Sequence, residues 1–168
     1  MPDFRIFPTA LAIALAPVSA LAEDVWSSAA MGCVPTSTTV AEAHYVTTAG
    51  VVKFKDNATG LISFVCPVDA LDNGRYYLST WVRASDAAIG AITVQLRARN
   101  MQDGATRTIL ETSAPSREGQ TLFREVVSNV RNVNFADPFE TYWVQISIRR
   151  QSRTAEAVSV LSVEIVEP

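Results

Sequence analysis

One histidine, two cysteines and no concentrated basic run are what this chain offers to catalysis, metal binding or nucleic-acid recognition. The histidine, His44, lies in Ala43-His44-Tyr45-Val46 with no neighbouring serine or cysteine suited to act as its nucleophile. An ordinary hydrogen-bonded histidine is the better reading than a general base. Zinc would need more ligands than one histidine and two cysteines supply. Calcium-loop, zinc-ligand and phosphate-cradling spacings are all missing, and no Asp or Glu falls in a recognisable glycosidase motif. Acidic and basic residues nearly balance, 17 against 14, for a net charge of −3. That balance gives no reason to expect nucleic acid or an anionic membrane as partner. After residue 22 no apolar run approaches the length of a membrane span, so no membrane insertion is expected. The absences point away from an enzyme, a cofactor or a bound metal. Asp56, Asp72 and Asp103 could lend oxygens to calcium, but turn formation accounts for them without an ion.

What is present begins with location. Arg5 supplies a short basic start, and Thr9 to Val18 is an apolar run too short to span a bilayer. Ala20-Leu21-Ala22 then places small residues where a signal peptidase reads them, ahead of Glu23-Asp24. This order reads as a secretory signal peptide over residues 1–22. Residues 23–168 are then a single domain, secreted or periplasmic, and the whole chain's apolar content of 48% suits a globular fold.

In an exported chain an even cysteine count reads as a disulfide, and Cys33 and Cys66 allow one pairing. Closing that loop is expected to stabilise the fold by about 3–4 kcal/mol. A lipid anchor on Cys33, suggested by Ala30-Met31-Gly32-Cys33, fits less well because the cysteine lies far beyond the apolar run.

The rest of the chain repeats short alternating segments separated by turn signals. Ile92, Val94, Leu96 and Ala98 alternate with Thr93, Gln95, Arg97 and Arg99; Tyr142, Val144, Ile146 and Ile148 alternate with Trp143, Gln145, Ser147 and Arg149. Tyr76, Leu78, Thr80 and Val82 alternate with Tyr77, Ser79, Trp81 and Arg83, and Leu161, Val163 and Ile165 with Ser162 and Glu164. Period-two contrast of this kind means strands with one buried and one wetted face. Further strands are expected over 51–55, 61–66 and 107–112, with Pro67 ending the second because it has no N–H to donate. Asp56-Asn57-Ala58-Thr59-Gly60, Asp72-Asn73-Gly74 and Gln102-Asp103-Gly104 supply turn residues. Asn57-Ala58-Thr59 also matches a glycosylation acceptor, but is read as a turn. Leu122, Phe123, Val126, Val127, Val130 and Val133 fall at helical spacing. Their β-branched character and flanking strands favour a strand over 122–128 followed by a loop. Eight or nine strands predict an all-β, two-layer antiparallel β-sandwich of jelly-roll type. An immunoglobulin-like arrangement is the runner-up, and it lacks a tryptophan between the cysteines to pack on the disulfide.

Cys33-Val34-Pro35, Gly50-Val51-Val52-Lys53-Phe54, Gly60 to Cys66-Pro67-Val68 and the later Tyr142 to Ile146 with Arg149 or Arg150 resemble a pattern in uncharacterised exported bacterial β-sandwich proteins. The resemblance spans most of residues 23–168 and is carried by structural motifs, with no binding or catalytic residues attached. More loosely, the strand rhythm is similar to jelly-roll carbohydrate-binding modules, a likeness that implies fold and not function.

On the polar phase of the strands Tyr77, Trp81 and Trp143 are interleaved with Gln95, Arg97, Gln145 and Arg149. Flat rings beside fork-shaped donors suit a sugar surface, where rings stack on pyranose faces and Arg or Gln bond hydroxyls. They also suit a protein interface, and the plain alternative is that neighbouring segments cover the rings. If the strands of Trp81 and Trp143 are neighbours in one sheet, the two rings form one platform. The expectation is a non-catalytic ligand-binding module, glycan first, with a protein partner next. A structural or assembly component of the cell envelope or an extracellular appendage is the alternative.

Overall fold

A computed structural model describes residues 23–37, 45–69, 71–83, 90–115, 123–135, 138–151 and 158–168. The expected signal peptide and His44 lie outside the described residues. Among these residues the regular structure is almost entirely strand, laid out in two antiparallel sheets. β1 (Glu23–Ala29), β3 (Tyr45–Thr48), β4 (Val51–Phe54), β6 (Gly74–Arg83), β9 (Arg124–Val127), β10 (Arg131–Val133) and β12 (Ser159–Glu167) form a seven-stranded sheet. Its order is β10-β6-β12-β4-β3, with β9 also on β6 and β1 also on β12. β2 (Val34–Pro35), β5 (Gly60–Val68), β7 (Gly90–Asn100), β8 (Thr106–Pro115) and β11 (Glu140–Arg150) form a five-stranded sheet ordered β2-β5-β11-β7-β8. The chain passes repeatedly from one sheet to the other, as in a jelly roll.

The alternation that marked the strands is what builds the core. Val94, Leu96, Val144, Ile146, Leu78 and Val163, expected in one core, are each at most 1% exposed. They meet Phe54, Phe64, Val82, Ile148, Val160 and Ile165 between the sheets. Tyr76, Phe135 and Tyr142 close one end through two edge-to-face ring contacts with centroids 5.7 and 4.8 Å apart. The Tyr76 hydroxyl donates to the carbonyl of Asp72 at 2.9 Å, and burial holds its pKa above the ordinary phenol value.

Cys33 and Cys66 form the expected disulfide, with Cα atoms 4.4 Å apart. Cys33 follows a 3-10 turn (Ala30–Gly32) where the chain leaves β1 in one sheet for β2 in the other, and Cys66 faces the core from β5. The bond therefore ties the crossing segment to the five-stranded sheet.

Three expectations need correction. β5 runs through Pro67 to Val68. Ser63, of the same parity as Pro67, directs its carbonyl toward the β2 side, where Thr36 N donates to it at 2.9 Å. The proline nitrogen thus faces beyond the end of short β2, where no ladder bond is required. The segment after Ser128 is not simply loop: β9 and β10 both pair with β6, and residues 128–130 bulge between them. Ser128 makes this possible by donating its N–H to Leu78 O and accepting from Leu78 N through its Oγ, both at 2.9 Å. Lastly, Leu161 is half-buried, while Val160 fills the core position, because the β12–β6 register shifts between Val160 and Ser162.

The turn aspartates behave as turn residues. Asp103 Oδ1 accepts from Ala105 N at 2.8 Å, and Gly104 takes the positive φ of 75° that the β7–β8 turn requires. Around Asp56 the carbonyls of Lys55, Asp56 and Ala58 converge on Arg150 Nη1 at 2.9, 3.0 and 3.1 Å. A buried guanidinium thus supplies the positive charge inside that loop. No group of three or more metal-ligating side chains occurs among the described residues.

Candidate functional site

Strand parity and register determine which polar side chains meet. On the outer face of the five-stranded sheet Trp143 of β11 lies between Pro67 of β5 and Arg97 of β7. The next row places Val65, Gln145, Gln95 and Glu111 side by side across β5, β11, β7 and β8. The row after that is Ser63, Ser147, Thr93 and Ser113, and Arg149 follows between Leu61 and Ala91. The sequence-predicted residues Trp143, Arg97, Gln145 and Arg149 therefore share one surface.

That surface is internally organised. Arg97 lies over the Trp143 ring, its Cζ 5.8 Å from the centroid, and donates through Nη1 to Gln145 Oε1 at 2.7 Å. Gln145 Nε2 points on toward Ser147 Oγ at 3.4 Å, and Ser147 Oγ meets Ser63 Oγ at 3.1 Å. Gln95 Nε2 donates to Glu111 Oε2 at 2.5 Å. The chain of contacts runs across three strands and fixes the rotamers of an indole, a guanidinium and an amide before any ligand arrives. Trp143 is half-buried, whereas Arg99 and Arg149 are exposed.

Trp81 and Tyr77 do not join it. Both lie on β6, in the seven-stranded sheet, where Trp81 stands opposite Glu125 and Ser162 at 39% exposure. The two tryptophans share the outward phase of their strands but occupy opposite layers, so the single platform is corrected to two separate surfaces. Period two tells which face of a strand a residue takes; it does not tell which sheet the strand enters. Around Trp81 the outer face is less uniform, with Ser79 Oγ donating to Glu125 Oε1 at 2.6 Å and Val127 exposed.

Sequence reasoning did not anticipate the carboxylate at the end of the sandwich. Glu140 begins β11 and is 9% exposed, receiving Arg107 Nε at 3.0 Å, Arg107 Nη2 at 2.7 Å and the Tyr142 hydroxyl at 2.9 Å. The Arg107 bonds, joined by that of Tyr142, hold its carboxyl below the usual range against an opposing desolvation. Its partner sits 33 residues away in the chain, so no local motif marks the pair. A groove of about 160 Å³ lies between β8 and the β9–β10 segment, lined by Thr108, Ile109, Glu111, Asn129 and Arg131.

Comparison with solved structures matches this architecture. The chain is similar to a CBM6 module from Clostridium stercorarium solved in complex with cellobiose: TM-score 0.50, 12% identity, covering 85% of this chain and 94% of that one. A xylan-binding module, CBM15, aligns with TM-score 0.49 and 16% identity over 88% of this chain and 96% of its own. The C-terminal CBM6 of a marine laminarinase from Zobellia galactanivorans aligns with TM-score 0.46 and 14% identity, covering 88% and 98%. No protein-family model and no curated protein sequence matches the chain. At these identities the likeness is one of fold: a jelly-roll sandwich of the kind carbohydrate-binding modules use.

Proposed function

We propose that this protein is a non-catalytic glycan-binding module that works outside the cytoplasm and lays a saccharide chain along the outer face of its five-stranded sheet. The observation that carries this reading is the set Trp143, Arg97 and Gln145, held together by a cation–π contact and a 2.7 Å hydrogen bond. An indole offers an apolar platform for a pyranose ring, and the guanidinium and amide beside it bond ring hydroxyls. Ser63, Ser147, Thr93 and Gln95 extend the polar track along the strands, and Arg149 lies at its far end. The CBM6-like fold supports the reading, and the Cys33–Cys66 disulfide supports an oxidising compartment.

The test compares two tryptophan substitutions by affinity electrophoresis and titration calorimetry, after a glycan array has selected the saccharide. Trp143→Ala is expected to weaken binding by about tenfold or more, equivalent to about 1.4 kcal/mol. Trp81→Ala, on the opposite sheet, leaves it unchanged. Equal losses in both variants, or a loss in Trp81→Ala alone, overturn the assignment of the surface.

A further inference from the structure

The charges on this face select among glycans. The outward residues of the five strands include three arginines, Arg97, Arg99 and Arg149, and one carboxylate, Glu111, which is engaged by Gln95. The chain as a whole carries −3. The opposite sheet's outer face mixes signs more evenly, with Arg75 and Arg83 of β6 and Lys53 of β4 alongside Glu125 and Glu164 of the strands flanking β6. The excess of positive charge is therefore larger, and less opposed by carboxylates, on the surface that carries Trp143.

Neither Arg99 nor Arg149 is paired with a carboxylate among the described residues, and both are exposed. Arg97 and Arg99 are two residues apart on one strand face, about 7 Å. Arg149 stands opposite Ala91, six residues along β7 from Arg97, or about 20 Å away. Between them lie hydroxyls and amides without charge. On a face that binds a neutral chain Arg97 and Arg99 stay as like charges about 7 Å apart, and the one carboxylate there, Glu111, is taken up by Gln95. A ligand that brings its own anions removes that repulsion, and the planar two-donor edge of a guanidinium matches a carboxylate. The net negative charge of the rest of the molecule is screened beyond about 8 Å at physiological ionic strength, so it does not keep an acidic polymer from this face.

We propose that the ligand of this surface is a polyuronate, an acidic polysaccharide whose ring carboxylates are received by Arg99 and Arg149 while Trp143 carries a sugar ring. The inference rests on the glycan-binding reading and narrows it.

The test measures binding of the purified protein to polygalacturonate, to neutral cellohexaose and xylan, and to dextran sulfate, at low and physiological salt. Polygalacturonate should bind at least tenfold more tightly than either neutral glycan, weaken as salt rises, and lose about tenfold or more in the double variant Arg99→Gln/Arg149→Gln. Both arginines are exposed, so the variant keeps the fold, checked by an unchanged melting temperature. Tight binding of a neutral glycan with none of polygalacturonate overturns the polyuronate assignment and leaves the glycan-binding reading standing. Dextran sulfate binding as tightly as polygalacturonate overturns the selectivity for carboxylate. Polygalacturonate binding untouched by the double substitution overturns the role of Arg99 and Arg149. Binding to none of the four overturns both readings together.

Discussion

Glu140 illustrates how much one side chain does where the two sheets meet at an end. Arg107 reaches it from β8 with two parallel N–H donors, and Tyr142 adds a third from its own strand. Its folded-state pKa lies below that of an unfolded glutamate, about 4.3. The stability this contributes is therefore fully present above that value and is lost as pH falls through the lower, folded pKa. Glu140→Gln is expected to cost about 1 kcal/mol at neutral pH, a modest figure because Arg107 is half in water. The difference in melting temperature between wild type and variant should shrink as pH is taken from 6 down through the carboxylate range. A difference that stays constant with pH would mean that the ion pair is energetically idle.

Among the elements, β6 is flanked on one side by two short strands in place of one long one. β12 pairs along one side of it, whereas the other side is shared by β10 and β9, with Ser128 filling the gap between them. The serine hydroxyl stands where a strand carbonyl would otherwise accept the Leu78 N–H. Ser128→Ala removes that acceptor at a half-buried position and should cost about 1–2 kcal/mol. Amide exchange at Leu78 should accelerate relative to its neighbours, and an unchanged rate would show that another acceptor takes over. The helical spacing of Val126, Val130 and Val133 is thus an accident of a strand interrupted by a bulge: residues 128–130 stand against two positions of β6, Leu78 and Tyr77, and Val130 is left exposed.

Across the whole molecule, the disulfide joins the sheet-crossing segment to β5 and closes a loop of 33 residues. By loop-closure entropy it should contribute about 3–4 kcal/mol, less any residual order in the reduced unfolded chain. Thermal melts with and without reductant should differ by several degrees, and coincident melts would make the bond incidental to stability. The side of the sandwich where β8 faces β9 and β10 across a small groove is not crossed by this bond. Reduction is therefore expected to loosen β1, β2 and β5 before it affects β7 and β11.

The chain's own pattern was enough for the long strands, their buried phase save at Leu161, and the disulfide, but not for β1, β3 or β10. A polar residue between two apolar ones in β7 or β11 has one place to go once the sheet is covered on one side. Slipping either strand by one residue would bury Arg97 or Gln145. Local chemistry also determined the turns, since Asp103 and Gly104 act within a few residues of each other. Tertiary structure alone decided sheet membership, and with it the site. Trp81 and Trp143 have the same local signature, an indole on the polar phase of a clean strand, yet one faces out from each layer. Only the long-range pairing of β11 with β5 and β7 places Trp143 beside Arg97, 46 residues earlier in the chain. The same pairing gathers Arg97, Arg99 and Arg149 on that face. Period-two alternation records how a strand meets its core; which strand lies beside it depends on register energies summed over contacts between distant segments, and no short stretch of sequence contains them.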